Sequence, residues 1–393
     1  MATAGRAASS PAPASDAAGR LREAAFVRFA VCADGDALAA TGLLATGCIA
    51  ADVPFQARVV RGWESGRPAT ADDATAVSVG TDTPAADLTI PSEPGPASRH
   101  AFETACELGA DPGPILALAG AFAATDPTTA VESVAGDVLD AARERGLVER
   151  RPGVAAPVAD AADGLAHTTL AHAPFSGEVD AARAAVGGID ADGDGSNRAD
   201  ERSDEYYRRV GSLFALSVAG SESTPRAAAA VERALRPHAI ADGEPFATVG
   251  GYADVLGALA RDAPGVGLAL ALGSDTERAA LDAWRDHAGR AHAAIRAATT
   301  ARYDGLFVAR LPAAAPVATT ARLLRDFRSP EPLVLTVTEE RAAAAACTEA
   351  AVGESMTVAA SVRDGTGSGD DRRGEACFEG SGDEFVAAFR EAR

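Results

Sequence analysis

The sequence predicts an α/β fold in which a largely parallel sheet is followed by a smaller unit of mixed α/β structure. Strand-like and helix-like segments alternate through the first half of the chain, as they do where crossover helices join parallel strands. From about residue 237 the alternation gives way to a mixed pattern. The chain has 393 residues, 47% of them hydrophobic, so it can bury a large core, and its length favours two domains.

The alternation can be followed along the chain. After residues 1–23, an Ala/Ser/Pro-rich stretch predicted to be disordered, AFVRFAVC is predicted as a strand and DALAATGLLATGCIAA as a helix. PFQARVV and TAVSVG are predicted as further strands, and ASRHAFETACELGA and PILALAGAFAA as helices. These segments form the start of a first domain at 24–236.

The second domain, at 237–393, is predicted to combine helices with short strands. Residues 245–275 are predicted as a helix followed by a buried glycine-containing strand, and residues 277–303 as one long helix. YDGLFVARL, PLVLTV and MTVAASVR are predicted as short strands. Two polar Gly/Asp-rich segments, 187–205 and 363–375, are predicted as exposed loops.

The chain is strongly acidic, and its basic residues are all arginine. It has 56 acidic against 36 basic residues, a net charge of −20, and no lysine. This composition is typical of a cytoplasm at molar salt, where negative charge keeps proteins hydrated, and we predict a halophilic archaeon. Because such salt also suppresses counterion release, the charge neither excludes nor supports a nucleic-acid ligand. The aromatic content of 5% offers few platforms for base stacking, which slightly favours a protein partner.

Cysteine spacing and hydropathy favour a cytoplasmic protein. The five cysteines are far apart and form no C-x-x-C pair, which argues against a zinc ribbon or a disulfide framework. The sequence contains no apolar run of 18 residues and no signal peptide, so no membrane partner is expected.

Two aspartates follow the first predicted strand. Asp34 and Asp36 lie just past its end, and in open parallel sheets ligands bind at the carboxyl ends of the strands. Carboxylate oxygens suit hard cations. In a chain so rich in aspartate, however, a D-x-D pair also arises by chance.

The order of motifs resembles the DHH phosphoesterase superfamily. The likeness is to the RecJ-like branch, which includes the archaeal GINS-associated nuclease and an inactive relative in the eukaryotic replicative helicase. CADGDALAATGLL is similar to the first motif of the family, LALAGAF to its Gly-Ala motif and DGLAHTTLAHAPFSG to a stretch of archaeal members. SVR at 361–363 resembles the S-x-R of the DHH-associated domain. The resemblance spans roughly residues 24–393.

This resemblance implies a DHH-type domain, a DHH-associated C-terminal domain and hydrolysis of single-stranded nucleic acid. Two Mn or Mg ions would assist the reaction by activating water and neutralising charge on the phosphoryl oxygens. The implied partners are single-stranded DNA or RNA, together with replisome or repair proteins.

The metal ligands that the resemblance implies are only partly present. Asp34 and Asp36 match the first motif, but Cys32 stands where the family has histidine, and a thiol is a poor ligand for a hard cation. Asp82, after the strand TAVSVG, matches the second-motif carboxylate. The D-H-H triplet is missing, and Asp87 is its only possible remnant.

The phosphate-binding loop that the resemblance implies has also changed. Gly380 and Gly382 match its glycines, but Asp383 replaces the family's histidine, and an aspartate repels phosphate. Arg363 matches the S-x-R arginine and can pair with a phosphate through two hydrogen bonds. The alternative for this arginine is an ordinary surface salt bridge.

One further acidic stretch matches the calcium loop of an EF-hand. Residues 190–201 satisfy D-x-D-x-D-G-x(5)-E, and the side-chain ligands would be Asp190, Asp192, Asp194 and Glu201. The sequence has no second copy of the loop. The alternative is a solvated Asp/Gly insertion, and a calcium ion here would be structural.

Two functions from different classes follow. The first is a degenerate RecJ-like protein of replication or repair that binds a single strand or a protein partner and does not cut. The second is an active Mn-dependent single-strand exonuclease or phosphoesterase that uses Asp34, Asp36 and Asp82. The combined loss of the D-H-H triplet and two motif histidines favours the first.

Overall fold

The computed structural model describes residues 14–61, 74–81, 86–126, 129–191, 204–218, 225–241 and 244–393. The first sheet is parallel throughout, in the order β2-β1-β3-β4. Its strands are β1 (Val27–Cys32), β2 (Phe55–Val60), β3 (Thr75–Val79) and β4 (Leu88–Ile90). The predicted parallel sheet of the N-terminal domain is confirmed.

Helices cover this sheet because their small and apolar residues pack closely. They are α1 (Ala14–Glu23), α2 (Gly35–Ala50), α3 (Ala97–Glu107), α4 (Pro114–Ala124) and α5 (Val131–Glu144). Helix α2 is buried on almost every side and contacts α3 and α4 extensively. Residues 14–23, which belong to the stretch predicted to be disordered, form helix α1.

The middle of the chain is largely helical. Its elements are β5 (Val148–Arg150), α6 (Ala161–His167), α7 (Val179–Ala191), α8 (Asp204–Val218), α9 (Pro225–Ala234), β6 (His238–Ile240), α10 (Val249–Asp262), α11 (Pro264–Ala271) and α12 (Glu277–Ala297). Strands β5 and β6 pair with each other. Helices α10 and α11 pack in the core of the first sheet, whose apolar cluster extends to Trp284. The domain boundary at 236/237 stays a prediction.

The C-terminal part carries a six-stranded mixed sheet in the order β11-β12-β10-β9-β8-β7, in which only β8 and β9 pair in parallel. Its elements are β7 (Thr299–Tyr303), β8 (Leu306–Arg310), α13 (Val317–Phe327), β9 (Leu333–Val337), β10 (Arg341–Ala346), α14 (Val352–Ser361), β11 (Thr366–Gly369), β12 (Arg373–Cys377) and α15 (Gly382–Ala392). The predicted mixed C-terminal domain is confirmed. Among the described helices, none has the length and apolar character needed to cross a membrane.

Four local predictions in the second half were wrong. The glycine-containing strand is helix α11, which has Pro264 in its first turn. The long helix ends at Ala297, and residues 299–303 form β7. MTVAASVR lies mostly in α14, and the loop at 363–375 contains the paired strands β11 and β12.

The packing of α2 on α11 gives the first testable prediction. A Cβ atom added at Gly42 would clash with the carbonyl oxygen of Ala271, which is backbone and has little room to move. We expect Gly42→Ala to lower the free energy of unfolding by about 1–3 kcal/mol. The matched control is Gly257→Ala in α10, where an added Cβ meets nothing within 4 Å. This control should be neutral or slightly stabilising in urea unfolding, and equal losses for both variants would contradict the packing.

Candidate functional site

The candidate site lies at the carboxyl edge of the parallel sheet, where β1 ends. Asp34 follows β1 in extended conformation and is the N-cap of α2, with its Oδ1 accepting a hydrogen bond of 2.8 Å from the backbone N–H of Ala37. Its side chain is half-buried. Asp34 therefore starts the helix and also presents a carboxylate at the edge where the sequence predicted a metal ligand.

Asp36 is only 3% exposed and caps a different helix. Its Oδ2 accepts from the backbone N–H of Ala97 at 2.7 Å, and its Oδ1 accepts from that of Ser98 at 3.0 Å. These are the first two residues of α3, and Pro96, the N-cap residue, provides no side-chain acceptor. Both oxygens of Asp36 are thus used at the N-terminus of α3, whose free N–H groups and dipole favour a carboxylate.

The pKa values at this edge are raised by burial and by mutual repulsion. Burial, and then the charge of Asp34, raises the pKa of Asp36 to about 7, although the hydrogen bonds from Ser98 and Ala97 oppose the shift. The pKa of the Cys32 thiol is also raised, first by burial and then by Asp34, which accepts a hydrogen bond from it. Cys32 therefore stays a thiol and supplies no thiolate ligand.

A fixed cation lies beside these acids. Arg261, in the last turn of α10, faces Asp34 and Cys32 and forms an ion pair with Glu375 of β12. Burial works to lower the pKa of Arg261, but Glu375 and then Asp34 raise it overall. The guanidinium therefore neutralises acidic charge at the edge of the sheet. No sequence motif marks Arg261, and only its contacts across the fold identify it.

The other predicted metal ligands do not join Asp34. The carboxylate of Asp87 accepts from the N–H of Ala76 at 2.8 Å, near the start of β3. Gly80, which follows the end of β3, lies against Asp34. The four residue steps of strand between Ala76 and Gly80 span about 13 Å, so Asp87 lies at the opposite edge of the sheet. Asp82 lies outside the described residues.

The polar side chains of the predicted phosphate loop pair with other groups of the protein. Ser381 and Glu384 form a capping box at the start of α15. Arg363 donates a hydrogen bond of 2.6 Å to Glu384, so it forms the salt bridge that was the alternative to phosphate binding. Gly380 packs against Arg363, and Gly382 is the first residue of α15. Asp383 pairs with Arg310.

The calcium loop lies almost wholly outside the described residues. Asp190 is in the last turn of α7, whereas Asp192, Asp194 and Glu201 are not described. Calcium binding at 190–201 stays a prediction.

These contacts decide how well the site suits a metal. Within the described ranges, no group of three or more His, Cys, Asp or Glu side chains is arranged to hold an ion. Both oxygens of Asp36 accept hydrogen bonds from the start of α3, and Cys32 is a thiol. Asp87 lies at the opposite edge of the parallel sheet. The described residues do not fit the two-metal centre that the resemblance implies.

The structural use of Asp36 gives a second prediction. We expect Asp36→Ala to lower the free energy of unfolding by about 1–3 kcal/mol, because the N–H groups of Ala97 and Ser98 lose their acceptors. Asp36→Asn keeps one acceptor oxygen and should lose less. Urea unfolding with and without a chelator measures both variants. If chelator destabilises the unsubstituted protein as much as Asp36→Ala does, the residue acts through a metal and the capping account is wrong.

A family model and a curated protein match this chain by sequence. A family model described as "Uncharacterized protein rrnAC1427, C-terminal domain" matches residues 298–391. The "Uncharacterized protein rrnAC1427" of Haloarcula marismortui is 50% identical over 387 residues, which cover 97% of this chain and 98% of the relative.

Solved structures are similar at the level of the fold. CDC45 from Entamoeba histolytica superimposes with a TM-score of 0.54 at 9% identity, over 96% of this chain and 97% of that one. The exonuclease RecJ bound to manganese gives a TM-score of 0.49 at 15% identity, over 98% and 94% of the two chains. The likeness to CDC45 is one of fold, and it agrees with the predicted α/β fold class. By its identity to the Haloarcula protein over nearly its whole length, the chain belongs to the rrnAC1427 family.

Proposed function

We propose that this protein is a non-catalytic member of the DHH/RecJ-like superfamily that binds single-stranded DNA or RNA in replication or repair. The observation that carries the proposal is the use of Asp36, whose two oxygens both accept hydrogen bonds from the start of α3. A carboxylate engaged in this way has little capacity left to hold a catalytic cation.

The surroundings of Asp34 support the same conclusion. Arg261 already supplies a positive charge beside Asp34, and it is held there by Glu375. A divalent cation at this position would be repelled by the guanidinium. Asp34 and Asp36 therefore remain from an ancestral metal site, and the guanidinium of Arg261 neutralises negative charge at this edge of the sheet.

The nucleic-acid class of ligand is supported by the ordered motifs and by the fold shared with CDC45. The relative from Haloarcula marismortui and the lysine-free acidic composition support a halophilic cytoplasm as the working environment. In that environment the protein would bind its strand at high KCl, where only closely held phosphate contacts persist.

A degradation and binding assay tests the proposal. Labelled single-stranded DNA and RNA are incubated at high KCl with Mn²⁺, and cleavage and retention are measured together for the unsubstituted protein and for Asp34→Asn. We expect retention of the strand without cleavage in both proteins. Cleavage that disappears in Asp34→Asn would overturn the proposal and support the Mn-dependent exonuclease that uses Asp34, Asp36 and Asp82.

A further inference from the structure

A cluster of arginines lies where α9 packs on α13, next to the start of β12. Arg226 donates to Asp126 at 2.7 Å and to Asp326 at 3.0 Å. Arg325 donates to Asp326 at 2.7 Å. These two arginines and two aspartates form a buried ion-pair network in which each carboxylate has a cationic partner.

Three further arginines of the cluster have no carboxylate partner among the described residues. Arg233 donates to the carbonyl of Thr125 at 2.6 Å and stacks on the ring of Phe122. Arg322 donates to the carbonyl of Thr169 at 2.9 Å. Arg373 is exposed, and its side chain makes no hydrogen bond or ion pair with the described residues. In the part of the chain that the structure describes, none of these three forms a salt bridge, although acids outnumber basic residues 56 to 36.

The remaining nearby acids offset only part of the charge of this cluster. Burial, together with neighbouring arginines, keeps the pKa values of Arg322 and Arg373 lowered, although Asp254 and Asp370 oppose the shift. Asp254 accepts from the backbone N–H of Thr169 and from Trp284, both at 2.9 Å. Asp370 accepts from the backbone N–H groups of Arg372 and Arg373. The three guanidinium groups therefore repel one another without full compensation. Burial, and then Arg322, lowers the pKa of Arg233 to about 9, which still leaves it charged at neutral pH.

Arg322 is held by a chain of buried contacts. Its partner Thr169 is fixed by Asp254, which Trp284 also contacts. Arg233 is fixed by Thr125, next to Asp126 of the ion-pair network. Because these two side chains are held before any ligand arrives, binding an anion would cost them less conformational entropy.

We propose that Arg233, Arg322 and Arg373 form a site for consecutive phosphate groups of a single-stranded nucleic acid. The inference rests on the proposed function and names where on the surface the strand is held. Guanidinium groups match phosphate oxygens through paired hydrogen bonds, and an anion removes their mutual repulsion. Since the chain has few aromatic residues, contact would be to the backbone and independent of base sequence.

The test compares Arg373→Gln and Arg322→Gln with Arg183→Gln. Arg373 makes no side-chain hydrogen bond to the described residues, so its replacement carries little risk to folding. Arg183→Gln is the matched control, since it removes the same charge from a residue that forms an exposed ion pair with Asp180 on α7. Binding of labelled oligothymidylate and of inorganic pyrophosphate is titrated over a series of KCl concentrations. We expect each cluster variant to weaken oligothymidylate binding about tenfold and to reduce its salt dependence by about one phosphate contact, with the control unchanged.

The possible results distinguish failure of the arginine site from failure of the proposed single-strand binding. If the unsubstituted protein binds oligothymidylate and the cluster variants bind it equally well, the site is wrong and the proposed function stands. If only pyrophosphate binds, and the cluster variants lose it, the arginines are a phosphate site and single-strand binding is wrong. If neither probe binds the folded protein, both are wrong.

Discussion

Replacing Asp326 with alanine is expected to lower the free energy of unfolding by about 3–5 kcal/mol, the largest effect of any single substitution proposed for this chain. Asp326 is fully buried, and its carboxylate accepts from Arg325 and Arg226. Arg325 is itself only 1% exposed. Removing the acid leaves guanidinium N–H groups inside the protein without an acceptor, and the desolvation of that charge is then uncompensated.

Urea unfolding at constant KCl measures this loss, and Asp180→Ala is the matched control. Asp180 also pairs with an arginine, but its side chain is 98% exposed, so its removal should change the stability by less than about 1 kcal/mol. A loss at Asp326 no larger than that of the control would contradict a buried network.

The second large effect concerns pH and arises from a pair of buried histidines. Arg328 donates to Nε2 of His172, and the two Nδ1 atoms of His172 and His292 are 3.0 Å apart. Nε2 of His292 faces the carbonyl of Thr168 at 3.0 Å and must donate to it. These partners assign one tautomer to each ring, with His172 donating through Nδ1 to His292. Both rings are neutral. A second proton on either ring would break this series of hydrogen bonds or leave a buried charge.

Acidification is therefore expected to destabilise the protein. Burial, followed by the charge of its neighbours, lowers the pKa of His172 to about 3, and burial lowers that of His292 to about 4. The unfolded histidines take up protons near pH 6.5, whereas the folded ones do not, so the unfolded state binds more protons as the pH falls. Stability should fall between about pH 6.5 and 4, by up to about 1.4 kcal/mol per pH unit for each histidine.

Urea unfolding across this pH window, with His172→Gln as the comparison, measures the contribution of the pair. The variant removes one of the two rings of the pair, so its stability should fall less steeply with acidification than that of the unsubstituted protein. Equal slopes for the two proteins would show that the histidine pair does not control the response.

The fold could be predicted from the sequence where hydrophobic pattern and local preference agreed. Strand β1 and helix α2 were found because a short apolar run is followed by a long run of small and apolar residues. MTVAASVR was predicted as a strand because Thr and Val favour strands. In the structure Met356, Ala359 and Ala360 are buried at helical spacing, while Val358 and Val362 point to solvent. Packing of one face on the sheet overrode the local preference.

The candidate site could be predicted only in part, because its decisive contacts join distant segments. The sequence identified Asp34 and Asp36 from their place after β1. It could not show that Asp36 caps α3, since this depends on where residues 97 and 98 meet the sheet edge. Arg261 and Glu375 meet only because α10 packs beside β12. The arginine cluster was missed for the same reason, as its members are spread over three elements of a chain whose basic residues are all arginine.

Calorimetric titration of metal-free protein with Mn²⁺ at high KCl, with Asp34→Asn beside it, tests the central claim most directly. If the acids at the edge of the sheet serve capping and charge balance, no stoichiometric binding that depends on Asp34 will be seen, and Mn²⁺ will not change the free energy of unfolding. Binding of one or two Mn²⁺ ions that Asp34→Asn abolishes would contradict the account and restore the site as a metal centre.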